Sequence, residues 1–257
     1  MKPILSLRNL YKSYGYTPVL KGIQLDIYPG QVIGYIGPNG AGKSTTVKII
    51  CGLISDYEGE VIIDGINGKE DPVAVKRKIG YIPEMAELYD VLTAAEFLGF
   101  MAELYSLSAD LANERITRML TAFGLEKNMH QRMDTFSKGM RQKVLIISGL
   151  LHNPEIIILD EPLSGLDANS VIIVKELISK LAKEGKTIFY CSHMMDVVEK
   201  VSDRIVLINE GRVIADGSFE ELQQQQGNQS LEKIFAHLTS NESLSHAADD
   251  LLQAFGN

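Results

Sequence analysis

The segment GPNGAGKS occupies residues 37–44, directly after the β-patterned run VIGYI and before a helical pattern that contains Val47, Ile49 and Ile50. Its glycine spacing and its Lys–Ser pair match the Walker A motif of phosphate-binding loops, and the strand and helix around it match that motif's structural context. A chance glycine-rich turn is the weaker alternative, because such a turn requires neither flanking element.

The chemistry expected of this loop follows from its residue types. Glycines let backbone N–H groups curl around a β-phosphate, and the N-terminus of the following helix adds its positive dipole. We expect Lys43 to reach the β- and γ-phosphates and the Ser44 hydroxyl to bind Mg²⁺, so the predicted ligand is ATP with magnesium. The predicted binding residues are Gly37, Pro38, Asn39, Gly40, Ala41, Gly42, Lys43, Ser44 and Thr45.

A second motif, EIIILDEP at residues 155–162, joins a continuous apolar run to two carboxylates. A buried strand would deliver Asp160 and Glu161 to its carboxyl end, where open α/β sheets bind ligands. We expect Asp160 to hold the magnesium through water, and Glu161 to orient or deprotonate the attacking water. An acidic pair after a strand is by itself more often a helix start. Its combination with the phosphate loop favours ATP hydrolysis, with Lys43 and Glu161 in catalytic roles.

Composition limits the partners and the compartment. The net charge is −8, which provides no basic surface to neutralise phosphates, so we expect no nucleic acid partner. No stretch approaches the roughly 18 uninterrupted apolar residues of a membrane-spanning helix, and the first residues, MKPILSLRNL, lack the apolar core of a signal peptide. Cys51 and Cys191 fit no zinc spacing and are expected to be buried thiols in a reducing compartment.

The order of patterns along the chain predicts an α/β fold. Short β-patterned runs such as ILSLRNL come first, and GEVIIDG follows at residues 59–65. From Thr93 the pattern turns helical for roughly forty residues, with a second stripe ending at Gly124 as a C-cap; this length indicates a subdomain. The apolar runs EIIILD and TIFYCS, joined by a helical pattern, are typical of a parallel sheet covered on both faces.

The C-terminal part is predicted to be a separate tail. The tract from Gln223 to Gln226, followed by Gly227 and Asn228, indicates a linker. Leu231, Ile234, Phe235 and Leu238 then predict one amphipathic helix.

Further motifs stand in a fixed order, and with them the chain resembles the ABC-transporter ATPase family over residues 3–220. FSKGMRQK at residues 136–143 stands where that family keeps its LSGGQ-type sequence. Tyr14 in YKSYG matches the aromatic that stacks on adenine, SGLD at residues 164–167 matches the D-loop, and His193 in CSHMMD matches the switch histidine.

The resemblance implies a P-loop NTPase fold: a RecA-like core with an antiparallel β subdomain and a helical subdomain. The implied ATPase domain covers residues 1–222, with the helical subdomain at about 91–150, and a linker and helical tail cover residues 223–257. In the family two such domains meet head to tail. Ser137 and the Gly139 backbone would then cap the γ-phosphate of the opposite subunit, and Asp167 would line the interface. His193 would be the third catalytic residue, which contacts the γ-phosphate and senses hydrolysis.

Each of these residues also has a simpler interpretation. Taken alone, the SKG sequence is an exposed turn at a helix start. Tyr14 could be an ordinary strand aromatic, and His193 a hydrogen-bonded histidine at a strand end. Asp167 could be a helix N-cap. Only the ordered set of motifs favours the functional roles.

Two departures from the family pattern remain. Lys138 and Met140 replace a glycine and the glutamine of LSGGQ, and Glu84, after KIGYIP, stands where the family has its Q-loop glutamine. Glu84 could join Ser44 and Asp160 at the metal, or face the permease and pair with a basic residue there. In these substitutions, and in a tail helix like LEKIFAHL, the chain resembles the ATPase subunits of bacterial two-component exporters.

That similarity implies a homodimer bound to a separate integral-membrane permease, at the cytoplasmic face of the membrane, with transport in the export direction. The transported substrate is not encoded in this chain. The alternative class is a soluble ABC-type ATPase that acts on nucleic acid or ribosomes, but the sequence lacks a basic surface, zinc cysteines and a second cassette. A nucleotide sensor without turnover would require a missing base, and Glu161 is present.

Overall fold

The structure, a computed structural model, describes residues 1–85, 88–227 and 229–239. Its strands are β1 (Leu5–Tyr14), β2 (Thr17–Ile27), β3 (Val32–Ile36), β4 (Glu58–Ile63), β5 (Ile66–Asn67), β6 (Ile79–Ile82), β7 (Ile156–Asp160), β8 (Thr187–Cys191), β9 (Arg204–Asn209) and β10 (Arg212–Gly217). Its α-helices are α1 (Lys43–Ile50), α2 (Pro72–Lys78), α3 (Ala94–Leu104), α4 (Ala109–Ala122), α5 (Lys138–Leu150), α6 (Ala168–Lys183), α7 (Met195–Val201), α8 (Phe219–Gln226) and α9 (Leu231–Thr239).

The strands form two sheets. An antiparallel sheet has the order β2-β1-β4-β5, and a six-stranded sheet has the order β10-β9-β3-β8-β7-β6. In the larger sheet β9, β3, β8, β7 and β6 run parallel, and β10 is antiparallel to β9. Because β3, β8 and β7 are neighbours, the segments that follow them meet at one edge of the sheet. This confirms the predicted α/β class with a separate antiparallel sheet.

Both faces of the larger sheet are buried, which explains its continuous apolar strands. Ile33 and Tyr35 of β3 face α1 and the antiparallel sheet in one core, whereas Val32 and Ile36 face the helices in a second core. The alternation follows from the period of two along a strand. Helix α1, which begins in the phosphate loop, is therefore held between two sheets.

The helical insert begins where the sequence predicted. Thr93 caps α3: its hydroxyl accepts from Glu96 N at 3.2 Å, and the Glu96 carboxylate accepts from Thr93 N at 2.8 Å. This reciprocal pair satisfies two amides of the first turn. Gly124 follows the end of α4 with φ +70°, as expected of a residue just past a helix terminus. Helices α3, α4 and α5 pack against one another.

The prediction of a linker at the glutamine tract is wrong. Gln223–Gln226 forms the second half of α8, which begins with a capping box between Ser218 and Glu221 and ends at Gly227, with φ +82°. Glutamine is a good helix former, and Leu222 is buried, so packing and caps decide the structure here. The predicted amphipathic helix is confirmed as α9, and it packs on α7 and α8.

The predicted tail therefore packs against the preceding helices as far as residue 239. Asn228 and residues 240–257 of this tail fall outside the described residues. Within the part of the chain that the structure describes, no helix is both long enough and apolar enough to cross a membrane.

Candidate functional site

The phosphate loop connects β3 to α1 and is held against the sheet. Gly37 lies so close to β9 that an added Cβ would be 2.3 Å from the Ile208 carbonyl oxygen. Gly42, the N-cap of α1, has φ 109°, a conformation that favours glycine. Asn39, Gly40 and Ser44 are exposed, so the outer side of the loop is open to a ligand.

Lys43 folds back over this loop. Its Nζ donates to the carbonyl oxygens of Gly37, at 2.6 Å, and Pro38, at 3.1 Å. An ammonium group above a helix N-terminus gives two sources of positive potential at one place, which fits a phosphate group. Behind the loop, the buried Thr46 hydroxyl donates to Gly42 O at 3.0 Å and fixes the first turn of α1.

Asp160 ends β7, beside the loop, and is buried. Burial, the charge of Glu161 and the charge of Glu84 raise the pKa of Asp160 to about 6, and Lys43 opposes them. A carboxylate with these neighbours would be stabilised by an added cation. Among the described residues no group of three or more His, Cys, Asp or Glu side chains is arranged to hold a metal. Mg²⁺ is usually bound by one or two protein groups plus phosphates and water, so Asp160 and Ser44 fit a nucleotide-bound ion.

The Glu161 carboxylate is held by the segment after β8. Ser192 Oγ donates to Oε2 at 3.0 Å, His193 N donates to Oε1 at 2.9 Å, and His193 Nδ1 lies 2.8 Å from the same oxygen. The Glu161 side chain is 14% exposed, whereas that of His193 is 78% exposed. The structure therefore brings Glu161 and His193, two of the three predicted catalytic residues, into contact. Ser192 is a contact that the sequence analysis missed, although it directly precedes His193 in the motif.

Ser137 and Gly139 lie at the start of α5. The Ser137 hydroxyl caps the helix by accepting from Met140 N at 3.2 Å, and both Ser137 and Lys138 are exposed. Within the described residues, no hydrogen bond joins Ser137 or Gly139 to the phosphate loop of the same chain. The helix start instead contacts the segment at residues 162–167, where an added Cβ on Gly139 would be 2.7 Å from Gly165 O.

Asp167 is the N-cap of α6, as its simpler interpretation predicted. Its carboxylate accepts from Ser170 N at 3.0 Å and from Ser170 Oγ at 2.6 Å, and Lys143 Nζ lies 3.0 Å away. The two hydrogen bonds from Ser170, with the Lys143 ammonium, hold the pKa of Asp167 well below its usual range. The side chain is 56% exposed, so it remains accessible to a neighbouring subunit.

Tyr14 ends β1, and its side chain is exposed. Lys12 Nζ lies 4.8 Å from the ring centroid. The paired strand β2 passes beside the phosphate loop, because an added Cβ on Gly42 would be 2.6 Å from Leu20 Cδ2. The hairpin that carries Tyr14 is therefore next to the phosphate loop. Among the described residues, no hydrogen bond joins Tyr14 to that loop.

Glu84 follows β6 and is exposed. It lines a cavity of about 350 Å³ together with Met85, Leu88, Lys138, Arg141, Gln142 and Leu145. Its charge also helps to raise the pKa of Asp160, so it lies near the predicted metal site as well. No ion pair involves Glu84 in the described part of the chain. Glu84 therefore shares a cavity with the basic residues Lys138 and Arg141 while its charge acts on Asp160.

Comparison with known proteins identifies the family of this chain. The family model described as "ABC transporter" matches residues 20–164, more than half of the chain. The linearmycin resistance ATP-binding protein LnrL of Bacillus subtilis (strain 168) is 36% identical over 253 residues, which cover 96% of this chain and 81% of that protein. The ABC transporter ATP-binding protein NatA of the same organism is 38% identical over 217 residues, covering 84% and 88% of the two chains.

Solved structures give the same result. An ATP-binding subunit of an ABC transporter superposes with a TM-score of 0.87 at 33% identity, covering 92% of this chain and all of that one. A dimeric ATP-binding cassette in a post-hydrolysis state, bound to ADP and Pi, has a TM-score of 0.77 at 29% identity and covers 83% and 98% of the two chains. From its sequence, its fold and these relatives, the chain belongs to the ABC transporter family, among the ATP-binding subunits.

Proposed function

We propose that this subunit hydrolyses Mg-ATP as a homodimer and thereby drives export through a separate integral-membrane permease at the cytoplasmic face of the membrane. One observation carries the catalytic part: Glu161 lies at the sheet edge beside the phosphate loop, with its carboxylate oriented by Ser192 and His193. A carboxylate held there can accept a proton from water or align that water for attack.

The residues of the site would act through direct contacts with the nucleotide and its metal ion. Lys43 would leave the carbonyl oxygens of Gly37 and Pro38 for the β- and γ-phosphates. Ser44 and Asp160 would hold Mg²⁺, which when bound neutralises the charge on the phosphate oxygens. Tyr14 would stack on the adenine, and His193 would contact the γ-phosphate.

The remaining side of the nucleotide would be covered by a second subunit. Ser137 and the Gly139 amide lie at the N-terminus of α5, where the helix dipole favours an anion. Ser137 is exposed and Gly139 is partly exposed, which leaves both accessible to a partner, and Asp167 would lie at the same interface. One of the structural relatives is a dimeric cassette.

The direction of transport rests on the relatives. The name of LnrL refers to resistance to linearmycin, an activity that removal of a compound from the cell would explain. For this chain the export direction and the separate permease are inferred in the same way, by analogy with such relatives. Transport into inverted membrane vesicles that contain the subunit and a co-purified membrane protein would test the direction, and ATP-dependent loss of the compound from the vesicles would contradict it.

Two variants test the catalytic assignment. Lys43→Ala should lose ATP binding, because the charge on the phosphates disappears, whereas Glu161→Gln should bind ATP and lose turnover. The measurements are equilibrium binding of a fluorescent ATP analogue and phosphate release by the purified proteins. Phosphate release at the wild-type rate by Glu161→Gln would rule out the role of Glu161.

A mixing experiment tests the shared site. A heterodimer of Ser137→Arg and Lys43→Ala subunits keeps one intact composite site, so it should hydrolyse ATP faster than either parent homodimer. Purification through two different affinity tags provides the heterodimer. Equal rates in the heterodimer and the parents would refute a site built from two subunits.

A further inference from the structure

Glu161 has a backbone conformation that depends on its surroundings. Its φ is +50°, in the left-handed region that residues other than glycine rarely adopt. Such a conformation persists only where neighbouring contacts hold it. The Glu161 amide donates to Cys191 O at 2.9 Å, and Ser164 N donates to Glu161 O at 3.2 Å. The second of these bonds closes a turn over residues 161–164.

The first turns of α5 hold that turn from the opposite side. Gln142, which is only 5% exposed, donates from Nε2 to Pro162 O at 3.2 Å. Lys138 lies four residues earlier, on the same face of the helix, and its Nζ donates to Ser164 Oγ at 3.2 Å. The Lys138 methylenes lie beside Gly165, where an added Cβ would be 3.0 to 3.1 Å from them.

The donor types fix the direction of these contacts. A lysine ammonium carries only donors, so Ser164 Oγ must accept and its own hydrogen must point elsewhere. Both contacts draw the turn towards α5, while Ser192 and His193 hold the Glu161 carboxylate from the β8 side. The residue is therefore fixed between two elements of the fold.

We propose that Lys138 and Gln142 are positioning residues that align Glu161 by holding the turn at residues 161–164. The inference rests on the proposed function, because it takes Glu161 as the group that acts on the attacking water. Ser137, the N-cap of helix α5, would cap the partner's nucleotide. The same helix start would therefore link the capping of one site to the alignment of the carboxylate in the other.

Four substitutions test this role in the full-length protein. Gln142→Met removes the amide donor at similar volume, Lys138→Met keeps the stem and removes the ammonium, and Lys138→Arg keeps a charged donor. Lys180→Met, an exposed lysine on α6, is the matched control. From the range for hydrogen bonds to neutral and charged groups, we expect kcat to fall about fivefold to twentyfold in Gln142→Met and about twofold to fivefold in the exposed Lys138→Met.

The split between kinetic constants distinguishes positioning from general damage. The KM for ATP, the affinity for a fluorescent ADP analogue and the thermal unfolding temperature should stay at wild-type values, because the phosphate loop is untouched. Lys138→Arg should recover most of the wild-type kcat. Unchanged kcat in both methionine variants would overturn the proposal. If Gln142→Met does not fold, the two variants at exposed Lys138 decide the question.

The decisive comparison repeats Lys138→Met and Gln142→Met in a Glu161→Gln background, with single-turnover measurements of the slow residual reaction. Without the Glu161 carboxylate there is nothing left to align, so neither substitution should slow the residual rate further. A further fall of the same size in this background would refute the role through Glu161. Failure of wild-type protein to hydrolyse ATP would instead refute the proposed function. If wild-type turnover is normal and is lost in Glu161→Gln, but does not change in Lys138→Met and Gln142→Met, only this inference is refuted.

Discussion

Two glycines inside helices provide a matched pair of substitutions with opposite expected signs. An added Cβ on Gly99, in α3, would meet nothing within 4 Å, whereas on Gly139, in α5, it would lie 2.7 Å from Gly165 O. Replacing a helical glycine by alanine stabilises a helix by roughly 0.5–1 kcal/mol. For Gly99→Ala only this contribution applies. At about 2–4 °C per kcal/mol for a domain of this size, its Tm should rise by about 1–4 °C.

Gly139→Ala adds a steric cost to the same gain. A carbon atom that close to a backbone oxygen cannot be accommodated by rotating a side chain, so α5 or the segment at residues 162–167 must move. Overpacking of this kind costs typically about 1–3 kcal/mol, which exceeds the gain in helix propensity. We expect a net loss of about 1 kcal/mol and a fall in Tm of about 2–4 °C.

The assay is thermal unfolding of both variants and the wild-type protein without nucleotide, since a bound ligand would raise Tm by itself. Phosphate release is measured in parallel. We expect it to fall in Gly139→Ala, because the proposed capping surface at the start of α5 is displaced, and to stay unchanged in Gly99→Ala. If Tm rises as much in Gly139→Ala as in Gly99→Ala, the reasoning is refuted. The short distance between residue 139 and Gly165 O would then not restrict position 139 to glycine.

Three further predictions concern individual contacts. Thr93→Ala removes the α3 capping box and should lower the free energy of unfolding by about 1 kcal/mol. Urea denaturation measures this change, with Thr117→Ala as an exposed control. Equal changes in the two variants would contradict the role of Thr93 as a cap. Asp167 has a lowered pKa, so its charged form contributes stability that is present above the ordinary aspartate pKa and is lost as the pH falls towards the lowered one. Wild-type protein should therefore unfold at a higher temperature than Asp167→Asn at pH 7, with the difference shrinking below pH 4, and a constant difference across this range would refute the ionic contribution. If Glu84 lies by the metal, Glu84→Gln should bind metal-free ATP up to about tenfold more tightly than wild type, and its ATP affinity should depend less on magnesium. If the two proteins have the same metal-free affinity and the same magnesium dependence, only the permease-facing role of Glu84 is left.

The parts of the site that the sequence predicted are those encoded by local spacing. The phosphate loop, the acidic pair and His193 each sit at the carboxyl end of a strand, and the apolar runs before them identified those strands. To predict that these segments lie together in space, one further rule was needed: the carboxyl ends of parallel strands lie at the same edge of the sheet. The start of the helical insert at Thr93 and the C-cap at Gly124 were recognisable because helix ends depend on residues within one helical turn.

The missed features depend on contacts between distant segments. Gln142 reads as a polar residue in a helical pattern, and only the packing of α5 against residues 162–167 shows that its amide binds Pro162 O. Ser192 is similar, since its partner Glu161 comes from another strand. The glutamine tract forms a helix and not the predicted linker, because glutamine is a good helix former and the buried Leu222 holds α8 against the fold.

The strand order has a consequence for the folding of the protein. Val32 of β3 pairs with Ile188 of β8, and Ile33 pairs with Arg204 of β9, so the centre of the larger sheet joins segments from opposite ends of the chain. Pairing over such sequence separations is slow, because loop-closure entropy is lost before the contacts form. The nucleotide site cannot exist until this step is complete, since its loops follow those same strands. We therefore expect newly synthesised chains to be unable to bind ATP until β8 and β9 have joined the sheet, after which ATP stabilises only the finished fold.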